Sequence, residues 1–398
     1  MAIEKLRGAV ALASNSPGVS TGYGVQGQYL VERMLRHGLK VAALSNYGLE
    51  GEIREEKTKH GKYLHYPKGF AQYSQDVIPA WMQHFQSKPD VKDLPSALMT
   101  LYDVWIYDSL QYDGDIISWV PLDHVTIPPG VLKFLLRRNV TPVTMSPHGQ
   151  RQLEGAGIES TYIPHGIDTK VFKPTDVVYG RPVREYLGVR DDQFLVGMFA
   201  ANKANGILHR KAIAESFLAF SLFKKTHPDA VLYLHMEASN AFGGFVIPRL
   251  LKAVGLDADS VIMPDPNTLR VGYPQEVLAG FMSACDVGLT VSYGEGFGVP
   301  QVELQSCGTP VIASSWAASP DLAGPDSYLV EGQMFWDEPQ QSFYQIPILG
   351  SIVEALNMAY DAPRGVSKAS IDFAKQFDVD TVWNWYWMPF LREFFDAS

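Results

Sequence analysis

Cysteine is nearly absent from this chain: Cys285 and Cys307 are the only two among 398 residues. That excludes a disulfide-stapled scaffold and fits a reducing compartment. Long apolar runs are missing as well, and no stretch approaches the ~18–20 residues that would cross a bilayer. The apolar run at residues 9–13 is too brief for the core of a secretion signal. Positive charge is in deficit, with 33 Lys+Arg against 43 Asp+Glu and a formal net charge of −10. Nothing global therefore draws the chain to nucleic acid or anionic lipid. These absences predict a cytoplasmic protein and leave its chemistry open. What is present is ordinary for a folded chain, 46% hydrophobic and 19% charged, which argues against global disorder. The length predicts two or three domains.

Along the first half, residues 9–13, 40–45, 103–107, 141–145 and 160–163 read as strands. An amphipathic stretch from Val25 to Leu35, closed by Gly38, reads as a helix, with another at about 130–138. A polar stretch at 167–191 carrying Pro174 and Pro182 precedes a second series. There, strands fall at 194–200, 230–236, 260–263, 286–291 and 310–314, with helices at 210–225, 245–254, 274–284 and 300–307. This alternation predicts an α/β chain of two doubly wound, Rossmann-like domains. Ligands of such domains lie beyond the carboxyl ends of the strands, so the two would face a shared cleft. The expected domains are 1–172 and 173–376, with a C-terminal segment 377–398. That aromatic tail, with Trp383, Trp387 and Phe395, predicts a helix packed on a domain. Asp378, Asp380, Glu393 and Asp396 outweigh Arg392 there, against a membrane-surface helix.

The segment richest in chemistry is Ser292-Tyr293-Gly294-Glu295-Gly296-Phe297-Gly298-Val299-Pro300-Gln301-Val302-Glu303, continuing to Cys307-Gly308-Thr309-Pro310. It begins where an apolar strand ends, turns through glycines, and enters a helix with Pro300 at its start and Gly308 past its end. Free amides at such a helix start make a cradle for an anionic or polar ligand. Glu295 lies in the turn and Glu303 eight positions later, about one turn inside the helix, so both can point into one pocket. Ionised carboxylates of this kind suit a ligand rich in hydroxyls. Upstream, Arg210 and Lys211 stand at a predicted helix start, where two cations and the helix dipole stabilise a departing anion.

Residues 293–314 resemble the donor-sugar signature of retaining glycosyltransferases of the GT-B fold, family 4 in the usual sequence classification. Tyr162-Ile163-Pro164-His165-Gly166-Ile167-Asp168 is similar to that family's interdomain junction. Asn202, Lys203, Arg210 and Lys211 are similar to its basic stretch, and Gly18 through Gly24 to its glycine-rich first loop. The resemblance departs at two points: Asn202-Lys203 and a longer loop replace the usual short Gly-Arg-to-Lys-Gly spacing, and Ala212 stands where glycine is usual.

The resemblance implies retaining transfer of a hexose from a UDP- or GDP-linked sugar to a hydroxyl acceptor, without a metal or bound cofactor. It implies that Glu303 holds the ribose and that Glu295, with Gly296, Phe297, Gly298 and Val299, holds the sugar. Asn202 and Lys203 would lie beside the donor, and Arg210 and Lys211 would neutralise the diphosphate. His124 would stand against the sugar, and Gly22, Tyr23 and Gly24 would form a loop near acceptor or phosphate. The C-terminal helix would return to the first domain. A nucleotide-sugar epimerase on the same fold and a non-catalytic nucleotide-sugar-binding module are the alternatives. The acceptor class stays open, nucleic acid included, as does the oligomeric state.

Two other matches carry little. Gly22-Tyr23-Gly24-Val25-Gln26-Gly27 spells the GxGxxG fingerprint, but its first glycine comes well after the strand, and Ser45-Asn46 lacks the acid that would hold a ribose. Asp113-Gly114-Asp115 matches a metal-binding Asp-x-Asp without further ligands nearby and reads as a loop. His148 and His165 read as structural.

Overall fold

The run Ala9–Ser14 (β1) is buried at every position, as a strand covered on both faces must be. It centres an eight-stranded sheet completed by β2 (Lys40–Ser45), β3 (Arg54–Thr58), β4 (Gly61–Tyr66), β5 (Ser96–Leu101), β6 (Ile116–Val120), β7 (Val140–Thr144) and β8 (Thr161–Tyr162). The order is β3-β4-β2-β1-β5-β6-β7-β8. All pairs are parallel except β3 with β4. Helices α1 (Gly22–Arg36), α2 (Ile78–Gln86), α3 (Pro129–Leu135) and α4 (Pro147–Gly155) belong to the same half. In this computed structural model, which describes residues 4–204 and 208–397, the chain divides into two units. One comprises Met1–Gly166, Glu338–Ser342 and Val379–Ser398, the other Ile167–Asp337 and Phe343–Asp378.

The second unit opens with a small hairpin, β9 (Val177–Val178) and β10 (Arg181–Pro182), and helix α5 (Val183–Leu187). Its sheet comprises β11 (Phe194–Phe199), β12 (Ala230–His235), β13 (Val261–Ile262), β14 (Val287–Leu289), β15 (Val311–Ser314) and β16 (Tyr328–Val330). The order is β13-β12-β11-β14-β15-β16, all parallel. Strands β17 (Gly332–Asp337) and β18 (Ser342–Pro347) make a separate two-stranded sheet. Its helices are α6 (Ile213–Lys224), α7 (Ile247–Ala253), α8 (Pro266–Val271), α9 (Gln275–Ala284), α10 (Val299–Ser306), α11 (Leu349–Asp361) and α12 (Lys368–Ala374). The aromatic chains of α6 show why it sits on this sheet: Phe217, Phe220 and Phe223 are buried with Phe194, Val196 and Leu232. In both units the strand order reverses beside the first strand, between β11 and β14 and between β1 and β5. Doubly wound sheets open their ligand crevice at such a reversal.

The tail counted with the first unit runs as α13 (Val379–Val382), a π-helical turn Trp383–Trp387, and α14 (Met388–Asp396). Arg33 of α1 pairs with Asp380 at 2.7 Å. Trp383 lies against His37, and Trp387 meets Trp119 edge to face at 5.0 Å.

The second-unit elements read from the sequence between 194 and 314 fall within a few residues of the structure, whereas β9, β10, α5, α8 and all elements from β16 to α12 were not read; the first unit departs further. The strand expected at 103–107 lies earlier, as β5, because Ala97-Leu98-Met99 is the fully buried run, while Val104–Ile106 is a single 3-10 turn. Trp119 sits inside β6. The chain passes between units after Gly166 and again after Asp378, against expected joints after 172 and 376. The reason at the first joint is Phe172, buried in the second unit's core, whose carbonyl accepts from Ser306 Oγ at 2.5 Å.

Trp387 is buried to 2% exposure, so Trp387→Ala is expected to destabilise the fold by about 3–5 kcal/mol. A lowered urea midpoint measures this.

Candidate active site

The crevice of the second unit is built by the segments following β11 and β14. After β14 the chain enters the glycine turn, and Gly298 takes up φ 89°, ψ 61° as the cap of α10, a left-handed conformation suited to glycine. No side chain caps this helix start, Pro300 has no N–H, and Gln301 N donates to Gly298 O at 3.0 Å, which leaves the Val299 amide to meet an anionic ligand.

Opposite this turn stand Arg210 and Lys211. Lys211 Nζ donates to Glu295 Oε1 at 2.6 Å, and Arg210 Nη1 donates to Glu295 Oε2 at 3.1 Å. Arg210 also donates to the Gly294 carbonyl. The backbone closes the same clamp, since the Tyr293 N–H donates to Arg210 O at 2.8 Å. Burial acts to raise the Glu295 carboxyl, but Lys211 and Arg210 outweigh it and hold the pKa below the usual carboxylate range. The carboxylate is therefore ionised at neutral pH. Lys211 and Arg210 thus bring two positive charges to one side of this turn.

Glu303, on α10, differs. Burial pushes its pKa up to about 8, so in the ligand-free protein it is mostly protonated at neutral pH. Two glutamates eight residues apart thus stand in opposite protonation states, set by whether cations reach them.

The remaining predicted residues fall into distinct places. Gly296 and Phe297 are buried, and the Phe297 ring meets Phe377 edge to face at 5.6 Å. Gly298 and Val299 are partly exposed at the helix start. Asn202 is not open to a donor: its Nδ2 donates to the carbonyls of Glu237, Ser239 and Phe245 at 2.7–3.0 Å, and its Oδ1 accepts from Phe245 N at 2.8 Å. With both ends of the amide engaged, Asn202 staples the loop after β12. Lys203 is exposed and bridges Gly243 through its backbone. Part of the long loop singled out from the sequence, residues 205–207, lies outside the described residues.

Gly22, Tyr23 and Gly24 form the first turn of α1 and not a loop, because the Thr21 side chain accepts from Gly24 N at 3.0 Å and caps the helix. A Cβ on Gly24 would stand 2.4 Å from the Val19 carbonyl, so close packing accounts for that glycine. His124, in the first unit, is 3% exposed, with Nδ1 2.7 Å from Asp123 Oδ1. His165 is buried against Trp119, and its pKa is lowered to about 3 by burial. Asp115 and Gly114 offer backbone carbonyls to Leu98 N and Asn139 Nδ2, as in an ordinary turn. Among the described residues no group of three or more His, Cys, Asp or Glu could hold a metal ion, and no helix is long and apolar enough to cross a membrane.

One partnership escaped the sequence reading. Tyr293 OH donates to Glu215 Oε1 at 2.6 Å, tying the turn to the first turn of α6. Tyr293 is adjacent to the signature glutamate turn, but its partner lies 78 residues away in sequence, and no spacing rule reveals it.

A fold of two doubly wound units with such a crevice is the GT-B fold, and solved glycosyltransferases share it across the whole chain. Sucrose-phosphate synthase from Thermosynechococcus elongatus superposes with a TM-score of 0.73 at 19% identity, covering 98% of this chain and 100% of that one. Anabaena Alr3699/HepE in complex with UDP-glucose does so with a TM-score of 0.64 at 16% identity, covering 98% and 100%. At the level of sequence, residues 254–340 match the family described as Glycosyl transferases group 1, and the resemblance noted from residues 293–314 meets that match. A D-inositol 3-phosphate glycosyltransferase of Paenarthrobacter aurescens is 33% identical over 156 residues, 38% of this chain and 34% of that protein. An MMP alpha-(1->4)-mannosyltransferase of Mycolicibacterium hassiacum is 40% identical over 55 residues, 14% of this chain and 13% of that protein. The matched stretches thus span about a third or less of these two curated relatives' length.

Ala212 caps α6 at φ 45°, ψ 37° and is fully buried, which explains why glycine is usual at this position of the resembled motif. In Ala212→Gly the relief of about 1–2 kcal/mol of left-handed strain is offset by about 0.5–1 kcal/mol of added chain freedom and about 0.8 kcal/mol for the buried methyl that is lost, so stability is expected to stay within about 1 kcal/mol. Ala212→Val is expected to lose more than about 2 kcal/mol, because a branched chain is strained there and has no room. Urea denaturation of the two variants checks the contrast.

Proposed function

We propose that this chain is a retaining glycosyltransferase that moves a hexosyl group from a nucleoside diphosphate sugar to a hydroxyl acceptor. The observation that carries the reading is the buried Glu295 carboxylate clamped by Lys211 and Arg210 at an uncapped helix start. The names of the relatives and neighbours, all sugar-transferring enzymes, support it, as does the UDP-glucose complex of the HepE neighbour.

In this reading the diphosphate enters against Arg210, Lys211 and the Val299 amide at the start of α10. It competes with Glu295 for the two cations, and the glutamate oxygens so released accept hydroxyls of the sugar. Glu303 accepts the two ribose hydroxyls. The acceptor oxygen then attacks the anomeric carbon on the face from which the diphosphate departs. The bond from that carbon to the diphosphate oxygen breaks, and the acceptor proton passes to a departing phosphate oxygen. Arg210 and Lys211 supply the positive charge that this leaving group needs, so the step calls on no metal ion. The protein contributes position and preorganised charge.

The reading is tested with a panel of UDP- and GDP-sugars, with and without chelator, scoring released nucleoside diphosphate and the sugar's fate. Transfer that is unaffected by chelator is expected. An epimerase would isomerise the sugar, and a binding module would release no nucleoside diphosphate with any acceptor. Lys211→Ala is expected to lower turnover by roughly 10²-fold or more; near-normal transfer by this variant sinks the assignment.

The raised pKa of Glu303 adds a pH dependence. A ribose diol donates to the ionised carboxylate, so binding favours loss of the proton and lowers the pKa in the complex. Affinity for a nucleoside diphosphate therefore rises as pH climbs toward about 8, by up to about tenfold per unit, and levels off above it. Calorimetry against a 2′,3′-dideoxy analogue isolates this component, which is absent from Glu303→Gln.

A further inference from the structure

Arg210 and Lys211 do not stand on a regular element. They are the central pair of a tight turn that Ala212 N closes by donating to His209 O at 3.2 Å, and α6 begins only after it, at Ile213. On one side the turn is held by Glu295 and by the Tyr293 N–H. The other side matters equally, because a cation on a loose turn offers no preorganised field.

That other side begins at His209. Its ring lies face to face with Phe245, with centroids 3.7 Å apart and planes 20° from parallel. Its Nδ1 is buried and has no hydrogen-bond partner among the described residues. Packing on Phe245, and not a hydrogen bond at that nitrogen, orients the ring. Burial holds the His209 pKa below its ordinary value, against the opposing pull of Glu215. At neutral pH the ring is therefore mostly neutral, a flat surface beside the cations and not a third cation.

Phe245 is fixed in its turn. Asn202 Oδ1 accepts from Phe245 N at 2.8 Å, and Asn202 Nδ2 donates to Phe245 O at 2.7 Å. The same buried amide also holds the carbonyls of Glu237 and Ser239. Gly244 shows how closely the two segments meet, since a Cβ there would stand 2.3 Å from Asn202 O and Oδ1. The segment after β11 is thus welded at Asn202 to the segment after β12, and the chain returns to that weld at His209, one residue before the cations. The loop that replaces the short spacing of the resembled motif is pinned at both ends.

We propose that His209 is a positioning residue for the cations that meet the diphosphate. Held flat on Phe245, its ring fixes the turn from which Arg210 and Lys211 reach the leaving group, and Asn202 and Gly244 make the platform beneath it rigid. The inference rests on the function proposed above and deepens it. Precision at the leaving group comes from residues 237–245, a segment outside the clamp of Glu295, Lys211 and Arg210. Charge on the diphosphate grows as its bond to the anomeric carbon breaks. A displaced turn therefore costs the transition state and the released nucleoside diphosphate more than the bound donor.

The test compares two variants of the full chain. His209→Leu keeps apolar bulk without a flat face; His209→Phe keeps the flat face without the imidazole nitrogens. In His209→Leu, kcat is expected to fall about tenfold to 10²-fold, the scale of a misplacement near one ångström. Donor KM should change by less than about threefold, the split that marks an interaction strengthened in the transition state. Calorimetry with UDP and GDP should show the diphosphate that the wild type binds held about tenfold more weakly, with the matching nucleoside, uridine or guanosine, unaffected. His209→Phe is expected to recover both kcat and diphosphate affinity to within about threefold.

Wild-type turnover and affinity in His209→Leu overturn the proposal. So does equal impairment of the two variants, which would assign the effect to the imidazole, and so does a nucleoside weakened as much as its diphosphate. Failure of the transfer reading looks different: the leucine weakens the diphosphate and the phenylalanine restores it, but no donor sugar is consumed. A wild type that binds neither UDP nor GDP overturns both.

Discussion

The arrangement of the second unit's crevice depends on keeping one buried carboxylate charged. Taking Glu295 out of water opposes ionisation, and only Lys211 and Arg210 at hydrogen-bond distance reverse that balance. Backbone contacts add to the side-chain attraction at Arg210. The Arg210 carbonyl is held by Tyr293 N–H, its guanidinium by Gly294 O, and Tyr293 by Glu215 of α6. The strained cap at Ala212 belongs to the same set of constraints, because it turns the chain from the cations into α6. Two segments some eighty residues apart are thereby fixed against each other before any ligand arrives. Preorganisation of this kind is what electrostatic catalysis requires.

The contrast between the two glutamates follows from the same physics. Glu295 has cations within 3.1 Å and is ionised; Glu303 feels burial without such compensation and holds its proton toward pH 8. A diphosphate and a pair of ribose hydroxyls make different demands. The first needs a positive site whose counter-charge can yield. The second needs an acceptor that becomes charged when donors approach. One turn and one helix thus carry two carboxyl groups whose charge is set by neighbours and not by residue type.

The first unit repeats the topology with the opposite electrostatics. Its strand-order reversal is lined by tyrosines and carboxylates, with its lysine already engaged. The strained Tyr73-Ser74 turn, tied to the end of β2, parallels Ala212: in each unit backbone strain sits beside the crevice.

Local pattern carried the second unit far. The strands from Phe194 to Ser314 and the helix opening at Val299 were legible because short buried runs bounded by glycine and proline specify themselves. The turn that carries Glu295 and leads into the helix of Glu303 was legible because a glycine turn entering a helix is a local event. In the first unit β5 was misplaced and β3 and β4 went unforeseen, because an aromatic and polar segment such as Tyr102–Tyr107 matches strand propensity without being covered on both faces. Asn202 was misread for a related reason: an amide's availability depends on carbonyls of residues 237–245, which spacing does not reveal. The sequence by itself thus determined the elements and the residue types at the crevice, since these depend on neighbours along the chain. Which carboxylate is charged, which amide is occupied and which tyrosines meet were decided only by the tertiary structure. Those properties depend on burial and on partners distant along the chain, which folding brings within a few ångströms.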